Sequence, residues 1–394
     1  MELAWDPEID TPSTIAVIGG GSIGVEAALY ARFLGYTVML FDAHKVGHRQ
    51  LAWGDHLMQE PWSQVTTSLG LAAIEAQGTA SVYPADDAVC TYREYVEKYL
   101  LPVARTDLLY DGVQINSPVV SVSRTGCSLN SPAAITRRAE QEFRLLVDSS
   151  PRGEYSQLVD IVLDCSGRAP RRGLASGSGL AIGETANRAK MLSGKVDVLG
   201  KHRVRFAGMQ TLLFGRDLSA CANAIDLARL ATEVEGTRLT WVVPKLIGTK
   251  EPLDQLPDGQ GELAATAQRL IANQHPAVVS LPAWGIESLQ HQTDWTVRLQ
   301  TGEEETLDIR GDNFINCHSL TRDWSFCDSL ALTTAESGHG TSPEPHYYLL
   351  GDKLLDGPCN ISEGLAQIRR VFALIGGRVD LDLYATIRRQ PASA

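Results

Sequence analysis

The chain has 394 residues, enough for two or three domains with an ample core. Hydrophobic residues make up 44% and charged residues 21%, the balance of an ordinary soluble globular protein. With 35 Lys+Arg against 47 Asp+Glu the net charge is −12, which argues against nucleic acid or an anionic membrane as the main partner.

No stretch reaches the ~18 apolar residues a membrane span needs. Residues 1–13 are acidic and lack the basic and apolar regions of a signal peptide, so the reading is a cytoplasmic protein with a short N-terminal extension. The seven cysteines form no C-x-x-C pair and read as reduced, mostly buried thiols.

Ile15–Ile18 is a β-branched apolar run that predicts a buried parallel strand. It leads into Gly19, Gly21 and Gly24, spaced G-x-G-x-x-G. In that spacing the first glycine allows a tight turn, the second lets backbone approach a pyrophosphate, and the third brings helix and strand close. Ser22–Leu34 predicts the helix whose N-terminal N–H groups face the phosphates, and Gly35 ends it in the left-handed region. Tyr36–Phe41 predicts the second strand. Asp42, 18 residues beyond Gly24 (42 − 24), is placed to accept hydrogen bonds from a ribose diol.

Segments 113–115, 119–123 and 143–147 then read as a β-meander, and Val159–Arg168, VDIVLDCSGR, as a closing strand. The basic stretch Arg188–Phe206 reads as a crossover between domains. The plan then repeats: Met209–Leu230 is a second strand–turn–helix, Thr237–Lys245 its second strand, and WTVRLQ and DNFINCHS match the meander and closing strand. Tyr347–Leu350 predicts a last strand ending in Gly351 and Asp352, followed by a helix from about Ile361 to Leu374. An acid directly after a strand can hydrogen-bond a ribityl chain. The helix N-terminus at Ile361 can stabilise negative charge on a flavin N1–C2=O edge. Alone, Gly351-Asp352 reads as a plain turn.

From about Thr14 to Arg378 the sequence resembles the two-dinucleotide-binding-domain flavoproteins, the FAD/NAD(P)-dependent pyridine nucleotide oxidoreductases, in the monooxygenase-like or uncharacterised branch without a redox disulfide. GGGSIG, FDA, VLDCSGR, LFGRDLSA, LLGDK and the final helix carry the likeness. The resemblance implies an α/β protein with two Rossmann-like three-layer domains, the second inserted in the first. It implies a first FAD domain over residues 14–190 and 323–385, an NAD(P)-type domain over 205–322, and a tail over 386–394. It assigns Gly19, Gly21, Gly24, Asp42, Gly351, Asp352 and Ile361 to FAD, and Gly215, Arg216, Ser219 and Lys245 to the nicotinamide dinucleotide.

The second turn departs from the pattern. Asp217 stands where the family has its second glycine, placing a bulky carboxylate beside a diphosphate. Two like charges ~4 Å apart at an effective dielectric of ~20 repel by ~4 kcal/mol, a factor of ~10³ in binding. Neighbouring Arg216 is placed to offset part of this. Asn316-Cys317-His318-Ser319 replaces the family's Thr-Gly pair. The F-x-G-x-x-x-H-x-x-x-[WF] fingerprint of class B monooxygenases is absent, with Leu212 in place of its His. If a nicotinamide cofactor binds, Lys245 favours the 2′-phosphate of NADP.

By residue type His56 is the best candidate for a catalytic base, and His318 with Cys317 stands near the expected inter-domain cleft. The commoner reading of His56 is a structural or surface histidine, and of His318 and Cys317 neutral drift. Lys353 reads either as a stabiliser of anionic flavin or as a solvated lysine. Trp53 and Trp62 read as core or flavin-packing residues. No metal-ligand spacing and no nucleophile elbow is present. Three readings follow: an NAD(P)H-linked FAD oxidoreductase of monooxygenase or reductase type acting on a small molecule, an FAD oxidase or dehydrogenase reduced directly by its substrate, and a non-catalytic flavin carrier.

Overall fold

The structure, a computed structural model, describes residues 13–78, 82–127, 135–150, 152–170, 173–175, 179–245, 261–272, 275–318, 320–330, 332, 344–355, 359–377, 380 and 382–386. Apart from Ser13 and Thr386, the expected extension and tail lie outside the described residues. The chain forms two units. The first takes residues up to Leu51, Asp55–Arg168 and Arg322 onward, and the second takes Ala52–Gly54 and Ala169–Thr321. The second is thus an insertion in the first. Residues 169–190, expected in the first domain, group with the second.

In chain order the first unit supplies β1 (Thr14–Ile18), helix α1 (Ser22–Phe33), β2 (Thr37–Phe41), β3 (Val113–Gln114), β4 (Val119–Arg124), β5 (Phe143–Ser149), β6 (Gly153–Val159) and β7 (Ile161–Asp164). The second unit follows with β8 (Leu192–Ser193), β9 (Gln210–Gly215), α2 (Leu218–Glu233), β10 (Arg238–Pro244), β11 (Val278–Ala283), β12 (Gly285–His291), β13 (Trp295–Gln300), β14 (Thr306–Gly311) and β15 (Asn313–Cys317). The chain returns to the first unit with β16 (Tyr347–Leu349) and α3 (Ile361–Gly376).

Each unit holds a parallel five-stranded sheet, ordered β16-β7-β1-β2-β3 in the first and β8-β15-β9-β10-β11 in the second. Each also holds an antiparallel meander, β4-β5-β6 and β12-β13-β14. The alternation of side chains along a strand explains the layering. Ile15 and Val17 of β1 pack with Val25, Ala28 and Leu29 of α1, while Ala16 and Ile18 pack with Val122, Phe143 and Leu145 of the meander. In the second unit Leu213 joins Ala220, Ala224 and Leu227 of α2, and Leu212 and Phe214 join Leu289, Trp295 and Val297 of its meander. Both units are therefore helix–sheet–meander sandwiches, the three-layer form the resemblance implied.

Two local assignments change. Val113–Gln114 pairs with β2 as the edge of the parallel sheet, and the third meander strand is Gly153–Val159. Arg188–Phe206 is part of the second unit: β8 pairs with β15, and Val196, Val198 and Phe206 enter that unit's core. Their apolar burial overrides the basic, polar character that suggested a crossover.

Candidate functional site

In the first unit β1 has β2 on one side and β7 on the other, so a crevice opens at the carboxyl ends of β1 and β7. Gly19 occupies it with φ +107°, and a Cβ there would stand 2.5 Å from Cys165 O. A Cβ on Gly24 would stand 1.8 Å from Gly19 O. These two glycines are required by space, and Gly19 also by its dihedral. Gly21 is the N-cap of α1 and makes no side-chain capping bond. Beside it Gln50 Nε2 donates to Ser22 Oγ at 3.1 Å, while Gln50 Oε1 is buried without a hydrogen-bond partner among the described residues.

Charged groups surround this turn. Asp42 Oδ2 accepts from Gly20 N at 2.6 Å and Asp42 Oδ1 from His44 N at 2.7 Å, so this acid fixes the turn as well as standing at the ribose position. Asp352 Oδ1 accepts from Cys359 N at 2.6 Å, and burial raises its pKa against the pull of Arg49 and Arg168. The Arg49 side chain reaches solvent, yet desolvation lowers its pKa while the Asp352 and Asp42 carboxylates raise it. Its Nη1 stands 3.0 Å from where a Gly167 Cβ would lie. Sequence reading passed over Arg49. The available signal was its position seven residues beyond Asp42 (49 − 42). The glycine cradle and the Arg49 cation together fit a pyrophosphate.

One expectation for this unit is corrected. Lys353 is neither solvated nor free: it is fully buried, with Nζ 2.6 Å from Asp164 Oδ2 and 3.3 Å from Ser166 Oγ. Nζ also stands 4.3 Å from the Phe326 ring centroid and 4.8 Å from that of Trp324. Tyr347 OH donates to the same Asp164 oxygen at 2.6 Å. At the N-terminus of α3 the Ile361 N–H donates to Glu60 Oε2 at 3.2 Å and Ser362 Oγ donates to Glu60 Oε1 at 2.9 Å. Asn360 and Glu363 complete a capping box at the same helix end.

The second unit repeats the turn with different chemistry. Gly215 has φ +140°, and a Cβ there would stand 2.2 Å from Cys317 O. Trp241 Nε1 donates to Gly215 O at 2.9 Å. Asp217 is the N-cap of α2, its Oδ1 accepting from Ala220 N at 2.9 Å. Arg216 Nη1 is buried with no hydrogen-bond partner among the described residues, and desolvation lowers the pKa of that guanidinium. Ser219 is buried in the first turn of α2, and Lys245 is exposed just past β10. Here a carboxylate of the turn itself holds the Ala220 N–H of the helix.

His56 lies in the first unit, where its carbonyl accepts from Tyr92 N at 3.0 Å. His318 lies in the second, with N–H to Asn316 Oδ1 at 2.8 Å and its ring 5.4 Å from Phe214. Trp62 is buried core, stacked 5.9 Å from Tyr83. Burial pushes the Cys359 and Cys327 thiols up to about 12, and Cys165 and Cys317 well above the ordinary thiol value. These sulfurs are thiols, not thiolates, at neutral pH. Among the described residues no three His, Cys, Asp or Glu side chains are grouped to hold a metal ion. No helix there is long and apolar enough to cross a membrane.

No family model and no curated protein matches the chain. Solved structures do. The bacillithiol disulfide reductase Bdr (YpdA) from Bacillus cereus matches with a TM-score of 0.64 at 13% identity, covering 93% of this chain and 100% of that one. The ornithine hydroxylase PvdA from Pseudomonas aeruginosa matches at 0.62 and 12%, covering 93% and 99%. The FAD-bound cadaverine monooxygenase DfoA from Erwinia amylovora matches at 0.60 and 13%, covering 98% and 99%. At this identity the likeness is one of fold, a fold the chain shares with these three enzymes over nearly its whole length.

Proposed function

We propose that the protein is an FAD-dependent oxidoreductase acting on a small molecule, with FAD held by the first unit. The observation that carries this reading is the open N-terminus of α1: Gly21 caps it without a side-chain bond, inside a cradle where Gly24 tolerates no Cβ. In this reading α1 presents its first N–H groups to the pyrophosphate and Arg49 neutralises its charge. Asp42, whose oxygens each keep acceptor capacity beyond Gly20 and His44, takes the ribose hydroxyls, and Asp352 takes the ribityl chain. Bound FAD supplies hydride and electron transfer, and the protein supplies position and charge. Lys353 is a positioning residue, holding the ends of β7 and β16 together through Asp164 and Tyr347.

The second Rossmann-like unit supports NAD(P)H as reductant, and the monooxygenase, hydroxylase and reductase among the fold relatives support electrons passed to O2 or an organic substrate. Lys245 supports NADP over NAD. The bond from Ala220 N to Asp217 favours a second reading, in which the organic substrate reduces the flavin directly. Seven unpaired cysteines accord with a reducing, cytoplasmic setting. Anaerobic mixing of the yellow protein with NADPH and NADH tests the choice. Rapid bleaching supports the first reading, and a flavin bleached by neither supports the second.

A further inference from the structure

The two glycine turns have one backbone and two chemistries. Gly21 has φ −80° and ψ −175°, and Asp217 has φ −77° and ψ 179°. Both are extended N-cap conformations that any residue adopts, so position 217 needs no glycine for its dihedrals. What glycine supplies at Gly21 is an absence: no side chain reaches the helix N–H groups. Asp217 supplies the opposite, an anion bonded to Ala220 N at 2.9 Å.

We infer that Asp217 is the built-in anion of the second turn: it occupies the helix N–H position a pyrophosphate needs and so excludes nicotinamide dinucleotides from a unit whose fold is otherwise complete. The rest of the turn is intact. Gly215 keeps its left-handed conformation against Cys317 O, and Trp241 bonds the Gly215 carbonyl. α2 is anchored by Asn223, which donates to Gly194 O at 2.8 Å and accepts from Val196 N at 3.0 Å, and by the Lys195–Asp226 pair at 2.7 Å. A dinucleotide arriving here must displace the cap or place its charge beside it. Arg216, with a buried nitrogen lacking a partner among the described residues, is a cation already in place for an anion. The turn is a latent phosphate site closed by one side chain.

This deepens the direct-reduction reading above but does not depend on FAD being bound, and FAD content measured on the same samples keeps the two apart. The test is titration of the purified protein with NADPH and with NADH, comparing wild type, Asp217→Gly and Asp217→Ser. Serine keeps a capping oxygen and removes the charge, so it decides the matter if the glycine variant loses its fold. The expected result is weak wild-type binding, tightened at least ~10-fold in both variants, with the ratio shrinking at high salt. Adding Arg216→Ala to Asp217→Gly should remove most of the gain. Tight wild-type binding that neither variant improves, or folded variants that bind no better than wild type, overturns the inference. Loss of FAD from wild type with the Asp217 effect intact would refute the FAD assignment and leave this one standing.

Discussion

The two units share the order of four of their five parallel strands, the layering and the backbone of the first turn, yet one turn is open and the other is capped by its own side chain. The contrast continues along the same elements. Asp164 on β7 faces Ile18 of β1, and Asn316 on β15 faces Phe214 of β9. Both side chains accept from the N–H two residues on, Ser166 at 3.1 Å and His318 at 2.8 Å. Only Asp164 carries charge, and only it is paired with a buried lysine. Seven residues beyond the first glycine of each turn (26 − 19 and 222 − 215), α1 buries Glu26 where α2 buries Ala222. The fold tolerates either chemistry at each place. Ligand sites are therefore set by a few side chains grafted on a common frame.

The largest way to break the comparison is Lys353→Met, which leaves Asp164 buried without its cation. A loss of about 3–5 kcal/mol in the chemical-denaturation stability of the first unit is expected. Lys353→Met/Asp164→Asn, which gives β7 the side chain that β15 already carries, should recover much of it. A near-neutral single variant would mean that the pair is not structural.

Glu26 gives the next effect. It accepts bonds from Tyr99 OH, from Thr67 Oγ1 at 3.2 Å and from Tyr384 OH at 3.2 Å, and burial raises its pKa from 4.5 to about 7. A carboxyl raised on folding stays protonated in the native state while the unfolded chain ionises. Stability is then fully present below pH 4.5 and declines as pH rises toward 7, by up to ~3 kcal/mol. Glu26→Gln should flatten that slope. An unchanged pH profile of unfolding would contradict the assignment.

Asp42→Ala should weaken FAD retention by roughly 1.5–3 kcal/mol, since it removes a charge-assisted acceptor and also frees the Gly20 and His44 N–H groups. Equilibrium dialysis of FAD against both proteins measures this. The smallest effect is expected at sulfur. Cys317→Ser and Cys359→Ser should leave flavin reduction within a few-fold, because burial keeps both groups protonated. A charge-transfer band lost in either variant would give the thiol a role.

Both sandwiches were legible because apolar β-branched runs and glycine turns are local signals. β6 was missed because its outward face is polar and exposed, Gly153-Glu154-Tyr155-Ser156-Gln157 carrying no apolar alternation. β3 was placed in the wrong sheet because two residues carry no period. The first turn was readable from its glycine spacing. The Lys353–Asp164 pair was not, since its partners lie 189 positions apart and a lysine after a turn looks solvated. Nor was the bond from Ile361 N–H to Glu60 legible, since the two lie 301 positions apart. At Asp217 the substitution was visible and its outcome was not, because only the backbone geometry distinguishes a side chain facing a ligand from one capping its own helix.

The central claim is that the first turn is open to a dinucleotide and the second is closed. Counting flavin on the purified, FAD-saturated protein tests it most directly, by absorbance after release with Gly24→Ala as control. The account predicts about one non-covalent FAD per chain, lost in Gly24→Ala because the new Cβ would stand 1.8 Å from Gly19 O. A wild-type protein that stays colourless after incubation with FAD, or one whose flavin survives Gly24→Ala undiminished, would contradict it.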